Sequence, residues 1–165
     1  MNIDNNYIAD VDEILEKYSD MVYKLALAKT GSNFDADDVF QEVFVKFMKH
    51  SHKISSEEYA KRWLIRVTIT TSLDQIRIWN PPTIDISKLD LAVPLTTEEI
   101  DLINALQRLK HEERTAIHLD YYEGYSVKEI SERLEIKENT IKSHLRRGRE
   151  KLKEILGEEY GDELK

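Results

Sequence analysis

All three prolines of the 165-residue sequence, Pro81, Pro82 and Pro94, lie within residues 80–97. This stretch has no sustained helical period, whereas the residues on both sides repeat apolar side chains at three- and four-residue intervals. Proline interrupts a helix because it lacks an N–H donor and clashes with the preceding turn. The sequence therefore predicts an all-α fold of two small helical domains, residues 1–80 and 98–165, joined by a Pro-containing linker at residues 81–97.

The first half predicts three helices. The first begins at Asp10, which forms a capping-box pattern with Glu13, and ends at Gly31. The second covers residues 35–49, and the third begins after Ser55. The third contains "VTITTS", whose β-branched residues have poor helix propensity, so we expect tertiary contacts to decide its conformation. The predicted buried side of the second helix is aromatic and aliphatic: Phe40, Val43, Phe44 and Phe47.

The second half predicts four helices. They cover residues 98–109, 112–122, 126–134 and 137–156. Ser126 and Glu129 form an S-x-x-E capping box at the start of the third of these, and only "EIKEN" separates it from the fourth. A short capped helix, a tight turn and a longer helix are typical of a helix-turn-helix.

The last predicted helix is basic although the chain is acidic. Residues 137–153 carry seven Lys or Arg and two Glu, whereas the whole chain has a formal net charge of −8. On a helical wheel at about 100° per residue, one side is mostly aliphatic: Ile141, Leu145, Gly148, Leu152 and Ile155. The opposite side is polar: Ser143, Arg146, Arg147 and Glu150. Gly148 lies on the docked side, where a missing side chain lets another helix approach closely.

This pattern indicates a DNA-recognition helix, because the N-terminal residues of such a helix meet base edges in the major groove. The side chains predicted near bases are Thr140, Ser143, Arg146 and Arg147. Phosphate contacts, which position the protein without reading sequence, are predicted for Lys142, Arg149 and Lys151. A solvated surface helix without a ligand is the simpler alternative.

Catalysis finds little support in the sequence. A chain without cysteine has no disulfide or thiolate zinc site. His50 and His52 lack a third ligand nearby, and the sequence has no Gly-rich phosphate loop or nucleophile motif. We therefore expect no enzyme activity, cofactor or metal. His118 is expected in the core and Glu112 with Glu113 at a solvated helix start. No apolar run reaches the roughly 20 residues of a membrane span, so we expect a cytoplasmic protein.

Two stretches resemble bacterial RNA polymerase sigma factors of the extracytoplasmic-function (ECF) class. "DADDVFQEVFVKFMK" resembles the polymerase-binding helix of that family. "LKHEERTAIHLDYYEGYSVKEISERLEIKENTIKSHLRRGREKL" resembles the family's domain that binds the −35 promoter element. Between them, "WLIRVTITTSLDQIR" is similar to the helix that melts and reads the −10 element. The family usually has alanine where Gly148 stands.

The resemblance assigns residues to each task. Polymerase contacts are implied for Asp35, Asp38, Gln41, Glu42 and Phe44. Contacts in the −10 region are implied for Trp63, Arg66, Thr70, Asp74 and Arg77. The −35 set comprises Thr140, Lys142, Ser143, Arg146, Arg147 and Arg149. The polar loop at residues 49–56 corresponds to the loop that captures a flipped base. For Phe44 and Trp63, simple core packing is the alternative.

The implied function is transcription initiation: the protein binds core RNA polymerase and directs it to promoters through their −10 and −35 elements. The implied partners are core polymerase, promoter DNA and an anti-sigma factor, which is often membrane-anchored in this family. A stand-alone helix-turn-helix regulator is one alternative, and a protein-interaction module that binds polymerase without reading promoters is another. The acidic Gln-Glu pattern of residues 35–49 argues against the first, and the basic helix argues against the second.

Overall fold

The structure, a computed structural model, describes residues 10–75 and 85–157, apart from the side chain of Tyr122. Within these ranges all regular elements are helical, which confirms the all-α prediction. The α-helices are α1 (Val11–Thr30), α2 (Asn33–His50), α3 (Glu57–Asp74), α4 (Thr97–Arg108), α5 (His111–Ile117), α6 (Val127–Leu134) and α7 (Glu138–Leu156). The chain forms two compact units, Met1–Ile100 and Asp101–Lys165.

Helix α1 begins and ends where the sequence predicts. The Asp10 carboxylate accepts hydrogen bonds from the amides of Asp12 and Glu13, at 3.0 and 3.3 Å, and so caps the first turn. Gly31 ends the helix with a φ of 70°, a left-handed conformation that glycine adopts at little cost.

Helix α2 begins two residues before the predicted start because Ser32 caps it. The Ser32 hydroxyl accepts a hydrogen bond from the Asp35 amide at 3.3 Å. Three of the four predicted core residues, Val43, Phe44 and Phe47, are buried, whereas Phe40 is half-buried. The helix packs against α1 and α3 through this side.

Helix α3 is continuous through the β-branched "VTITTS" stretch. Every residue from 63 to 72 is buried, so burial outweighs the weak helix propensity of this stretch, as expected. The Thr68 hydroxyl donates to the carbonyl of Leu64 at 2.6 Å, which satisfies one of the buried polar groups inside the helix itself.

The second unit brings α5, α6 and α7 together. Helix α5 continues as a π-helical turn (His118–Tyr122) that replaces the end of the predicted helix at residues 112–122. The capping box of α6 is confirmed in both directions: the Glu129 amide donates to the Ser126 hydroxyl at 3.2 Å, and the Ser126 amide donates to the Glu129 carboxylate at 2.8 Å. Glu135, with a φ of 56°, makes the tight turn that leads to α7.

Gly148 is the point of closest approach between α5 and α7. A Cβ atom at this position would lie 2.5 Å from Cδ1 of Ile117 and 3.4 Å from Cβ of Glu113. The predicted role of Gly148 as a close-packing residue is therefore confirmed. Ile141, Leu145 and Leu152 complete the buried side of α7.

The prediction that Glu113 lies at a solvated helix start is wrong, since its exposed fraction is only 1%. Its carboxylate accepts hydrogen bonds from Nζ of Lys151 at 2.8 and 3.0 Å and from the Lys110 amide at 3.2 Å. The close approach at Gly148 buries this carboxylate, and Lys151 supplies the compensating charge. Glu112, its neighbour, is exposed as expected.

Part of the predicted linker is ordered against the first unit. Residues 85–96 follow α1 and α3 and include a short 3₁₀ turn, Ile86–Lys88, whose Ile86 is buried. Pro81 and Pro82 lie outside the described residues. The described part of the predicted linker is therefore attached to the first unit.

Candidate functional surfaces

The outward side of α2 carries an unusual row of exposed apolar side chains. Phe34 is 67% exposed, Val45 44% and Met48 53%. Together with two exposed polar residues they follow four- and three-residue intervals along the helix: Phe34, Asp38, Gln41, Val45 and Met48. We call this row the α2 stripe. Spacing of this kind is the pattern by which one helix packs along another.

The structure separates the residues predicted to contact polymerase. Asp38 and Gln41 lie on the α2 stripe, and Asp35 lies half-buried in the first turn. Glu42 lies beside the stripe, where it pairs with Lys46 at 2.8 Å and accepts a hydrogen bond from Gln75 at 3.2 Å. These three exposed or half-exposed carboxylates give the surface an acidic character.

Phe44 lies inside the first unit. It is 4% exposed, and its ring centroid lies 4.9 Å from that of Phe40. The structure therefore supports the core alternative for Phe44. The residues that sequence reasoning missed are Phe34, Val45 and Met48, although their spacing relative to Asp38 and Gln41 is visible in the sequence.

A groove between α1 and α2 adjoins the α2 stripe. Its lining combines aromatic and acidic side chains: Ser19, Asp20, Tyr23, Asp37, Phe40 and Gln41. The rings of Tyr23 and Phe40 meet edge-on with centroids 6.4 Å apart. Gln41 belongs to both the groove and the stripe, so the two features adjoin on the surface of the first unit.

The residues predicted to read the −10 element are mostly enclosed. Trp63 and Arg66 are 2% exposed and Thr70 is 1% exposed, whereas Asp74 at the end of α3 is exposed. Arg77 lies outside the described residues. The enclosure of Trp63 agrees with the core alternative for this residue, and the assignment of Trp63, Arg66 and Thr70 to the −10 element stays a prediction.

Trp63 packs within an aromatic group. Its ring centroid lies 5.5 Å from that of Phe47, in an edge-on contact, and 5.4 Å from that of His50, with the two planes 20° apart. His52 lies further out, with its ring centroid 6.4 Å from that of His50. Among the described residues, no three His, Asp or Glu side chains are grouped as a metal ion would require.

The outward side of α7 presents the predicted cations. Lys142, Arg146 and Arg147 are exposed, and Thr140 is half-buried. Ser143 is half-buried, and its hydroxyl donates to the carbonyl of Asn139 at 3.0 Å. Asn139, also exposed in the first turn, is a residue that the sequence analysis passed over.

Local contacts restrain the cations on this face. Nε of Arg147 donates to the Ser143 carbonyl at 3.3 Å, and this bond does not use the two terminal nitrogens of the guanidinium group. Arg146 lies 4.0 Å from Glu150 in a pair whose side chains are both about two-thirds exposed, so this ion pair contributes little to stability. We call Thr140, Lys142, Ser143, Arg146 and Arg147 the α7 face.

Two of the basic residues assigned to phosphates belong instead to the packing of α7. Arg149 pairs with Asp120 at 2.6 Å, and Lys151 pairs with the buried Glu113 at 2.8 Å. Both side chains therefore turn toward α5 and its π-helical extension. Both cations are thus paired with carboxylates, which a helical wheel does not show because the acidic residues lie on neighbouring elements, and their contact with phosphate stays a prediction.

The Glu113–Lys151 pair has an electrostatic signature. Burial alone would raise the pKa of Glu113, but the hydrogen bonds from Lys151 and the Lys110 amide outweigh it, and the pKa of Glu113 is lowered. The carboxylate is therefore charged in the folded protein at neutral pH and stabilises the contact between α5 and α7.

His118 lies in the core of the second unit, as expected. It is 6% exposed, and its Nε2 lies 3.3 Å from a carboxylate oxygen of Glu123. Within the described part of the chain, every helix is too short or too polar to cross a lipid bilayer.

Comparison with known families matches each unit to one part of the same protein class. The profile described as Sigma-70 region 2 matches residues 14–78, and the profile described as Sigma-70, region 4 matches residues 99–152. The first match contains the α2 stripe, and the second contains the α7 face. Two helical units that carry these regions in this order define a protein of the sigma-70 type.

Individual relatives narrow the class. The chain is 31% identical to the ECF RNA polymerase sigma factor SigE of Mycolicibacterium smegmatis over 157 residues, which cover 88% of this chain and 61% of SigE. It is 32% identical to the RNA polymerase sigma factor SigZ of Bacillus subtilis, with coverage of 73% and 72%. It is 27% identical to the ECF RNA polymerase sigma factor SigW of Bacillus subtilis, with coverage of 93% and 90%. The chain therefore belongs to the ECF RNA polymerase sigma factors, a class of transcription initiation factors that direct polymerase to promoters.

Proposed function

We propose that this chain directs core RNA polymerase to promoters by binding polymerase through the α2 stripe and the −35 element through the α7 face. The observation that carries the proposal is the contrast between these two exposed surfaces, one acidic and apolar and the other basic. A protein without enzyme activity of its own suffices for this task, because polymerase supplies the chemistry.

The α2 stripe has the chemistry of a helix-docking surface. Its apolar residues, Phe34, Val45 and Met48, would lose water-exposed area on binding, which favours association. Asp38, at the centre, suits a partner that carries Lys or Arg. A helical, basic partner such as a coiled coil on the largest polymerase subunits meets both requirements.

The α7 face has the chemistry of a major-groove reader. Arg146 and Arg147 can donate pairs of hydrogen bonds to guanine, and Lys142 can neutralise a phosphate. Thr140 and Asn139, in the first turn, lie where a recognition helix meets base edges. Because Arg149 and Lys151 are paired internally, we assign the DNA contacts to the α7 face and the neighbouring Asn139.

The −10 element is a different case. We propose that it is read at the exposed loop after α2, where His52 and Lys53 are exposed, and at the end of α3, where Asp74 is exposed. Arg77, which is also predicted to contribute, follows three residues later in the sequence. Trp63 stacks on His50 and would hold this loop in position from inside. Arg66 or Thr70 could contact DNA only if some of the residues that pack over α3 moved away.

Two further proposals follow from the task. The protein works where polymerase and chromosomal DNA are, in the cytoplasm. An anti-sigma factor that covered the α2 stripe or the α7 face would inhibit it, and such a partner would have to present basic and apolar groups to the first surface and acidic groups to the second.

In vitro transcription with purified core polymerase and a library of promoter fragments tests the proposal. We expect initiation that depends on the added protein and selects a subset of fragments. If polymerase stays silent while the protein alone binds duplex DNA, the protein is a stand-alone helix-turn-helix regulator. If it binds polymerase and leaves fragment selection unchanged, it is an interaction module.

A further inference from the structure

Residues 85–96, which we call the strap, are fastened to the first unit through main-chain atoms. Nζ of Lys24 donates to the carbonyl of Asp90 at 2.7 Å, and the amide of Ala92 donates to the carboxylate of Asp20 at 3.0 Å. Nζ of Lys61, on α3, donates to the carbonyl of Pro94 at 2.9 Å. Three charged side chains thus hold three successive points of the strap.

Both ends of the strap are also fixed. At its start, Ile86 is 7% exposed, and the Asp85 carboxylate accepts a hydrogen bond from the Ser87 amide at 3.0 Å. At its end, the Thr96 amide donates to the carboxylate of Glu99 at 2.9 Å. Glu99, which lies on α4, pairs in turn with Lys61 at 2.9 Å, with only 8% of the Glu99 side chain and 12% of the Lys61 side chain exposed. The strap therefore has a defined path along α1 and α3.

The middle of the strap is held less firmly than its ends. Lys24 and Asp20 form an ion pair at 3.0 Å with side chains that are 41% and 35% exposed, so water screens this pair. The hydrogen bonds to Asp90 and Ala92 involve charged groups and are stronger than neutral ones, yet they remain near solvent. Contacts of this kind fix a position and can still be broken by a competing partner.

Asp20 connects the strap to the surface of α2. Its carboxylate accepts the hydrogen bond from Ala92, and the same residue lines the groove that contains Asp37, Phe40 and Gln41. Gln41 belongs to the α2 stripe. A basic partner that docks on the stripe and enters the groove would compete with Ala92 for the Asp20 carboxylate.

We propose that the strap is a latch: it is fastened to α1 in the free protein and is released at Asp20 when a partner docks on the α2 stripe. The release step rests on the proposed docking of core polymerase at that stripe. By linkage, the factor by which bound polymerase weakens the attachment of the strap equals the factor by which the attached strap weakens polymerase binding.

The fastening is tested by amide hydrogen exchange at Ala92, measured by NMR on the free full chain. We expect Ala92 to be protected in the wild type and to exchange about tenfold faster in Asp20→Ala, because the acceptor is lost. Asp20→Asn, which keeps an oxygen acceptor, should recover part of the protection. Glu16→Ala, which removes an exposed carboxylate one turn earlier on α1, is the matched control and should change nothing.

The release step is tested by polymerase affinity. Lys24→Met removes both the hydrogen bond to the carbonyl of Asp90 and the ion pair with Asp20. Lys24 is not among the residues that line the groove, so the substitution leaves the lining unchanged. We expect this variant to bind core polymerase about threefold to tenfold more tightly, because less of the protein starts in the fastened state. Lys17→Met, which removes one lysine from the same helix, controls for the loss of positive charge.

The outcomes separate the two proposals. If the Ala92 amide exchanges as fast as in an unfolded peptide, the strap is not fastened, and the latch proposal is refuted whatever the polymerase affinities are. If the Ala92 amide is protected but the wild type and Lys24→Met bind polymerase with equal affinity, the strap is fastened in the free protein and only the release step is refuted. If the wild type does not bind polymerase at all, the proposed function fails together with the release step, and the exchange result still decides whether the strap is fastened.

Discussion

Helices α2 and α7 are similar in construction and opposite in exposed chemistry. They contain 18 and 19 residues, and each buries one side and exposes the other. Exposed Phe34 and Met48 accompany Asp38 on α2, whereas Arg146 and Arg147 dominate the exposed side of α7. Apolar area with a few charges suits a protein partner, and concentrated positive charge suits a polyanion. Burial thus fixes where each helix lies, and the exposed residues select what it binds.

Their docked sides also differ. Helix α2 buries aliphatic and aromatic side chains such as Val39, Val43 and Phe47, all at 0% exposure. Helix α7 uses Gly148 for close approach and adds a charged pair with Glu113. The contact between α7 and α5 therefore includes an electrostatic contribution, which is lost as Glu113 becomes protonated at acidic pH.

The largest effect is expected from Asp38→Arg, which reverses a charge in the middle of the α2 stripe. Like charges brought together at an interface cost several kcal/mol, so we expect polymerase affinity to fall by about 3 kcal/mol. Binding of duplex −35 DNA should not change. Surface plasmon resonance on immobilised core polymerase measures the loss, with Glu16→Arg on α1 as the control. Co-purification of Asp38→Arg with polymerase at the wild-type level would contradict the assignment.

A smaller effect is expected from Arg147→Ala on the α7 face. Loss of a bidentate contact to a base should weaken promoter binding by about 1–3 kcal/mol, and discrimination at that base should relax. Fluorescence anisotropy with labelled duplexes measures both quantities.

Arg149→Ala is the matched comparison for Arg147→Ala on the same helix. Because Arg149 pairs with Asp120, its loss should leave the salt dependence of DNA binding almost unchanged. Equal changes in salt dependence for the two variants would show that Arg149 also binds phosphate.

Glu113→Gln tests the electrostatic part of the α7 contact. At neutral pH we expect the variant to be about 1–2 kcal/mol less stable than the wild type, less than the full cost of breaking a buried pair because Lys151 is partly exposed.

The pH dependence of that difference follows from the lowered pKa of Glu113. A carboxyl group with a lowered folded pKa stabilises the protein above its unfolded pKa, about 4.3 for Glu, and this contribution disappears as the pH falls through the folded value. The stability gap should therefore shrink below about pH 5 in urea unfolding curves. A gap that stays constant between pH 7 and pH 3 would contradict the ion pair.

The smallest effect is expected from Met48→Ser at the end of the α2 stripe. Removal of one partly exposed apolar side chain should weaken polymerase binding by about 1 kcal/mol. The same resonance assay detects this change. Glu58→Ser, which changes an exposed residue on α3, is the control. Equal losses of polymerase affinity for the two variants would show that Met48 does not contribute to the polymerase-binding surface.

Much of the fold is visible in the sequence because the decisive signals are local. Asp10 and Gly31 bound α1, Ser126 with Glu129 starts α6, and the apolar spacing of α7 identifies its buried side. Gly148 could be assigned to a helix contact because it interrupts an otherwise aliphatic row. These features depend on residues within one or two turns of each other.

The errors concern contacts between distant residues. Glu113 meets Lys151, and Asp120 meets Arg149, across two helices, so charge counting along α7 overstated its free cations. The attachment of the strap to Asp20 spans 72 positions in the sequence. Trp63 and Arg66 illustrate a second difficulty of prediction from sequence: a resemblance can imply a role for a residue without showing whether its side chain is accessible.

A mixing experiment in promoter-dependent transcription shows whether one chain must bridge polymerase and promoter through two separate faces. Asp38→Arg and the double variant Arg146→Ala/Arg147→Ala should each be inactive, the first still binding −35 duplex and the second still binding polymerase. We expect an equimolar mixture of the two to stay inactive, because both faces are needed on one molecule. Restored transcription in the mixture would contradict it, since polymerase binding and DNA binding could then be supplied by different chains.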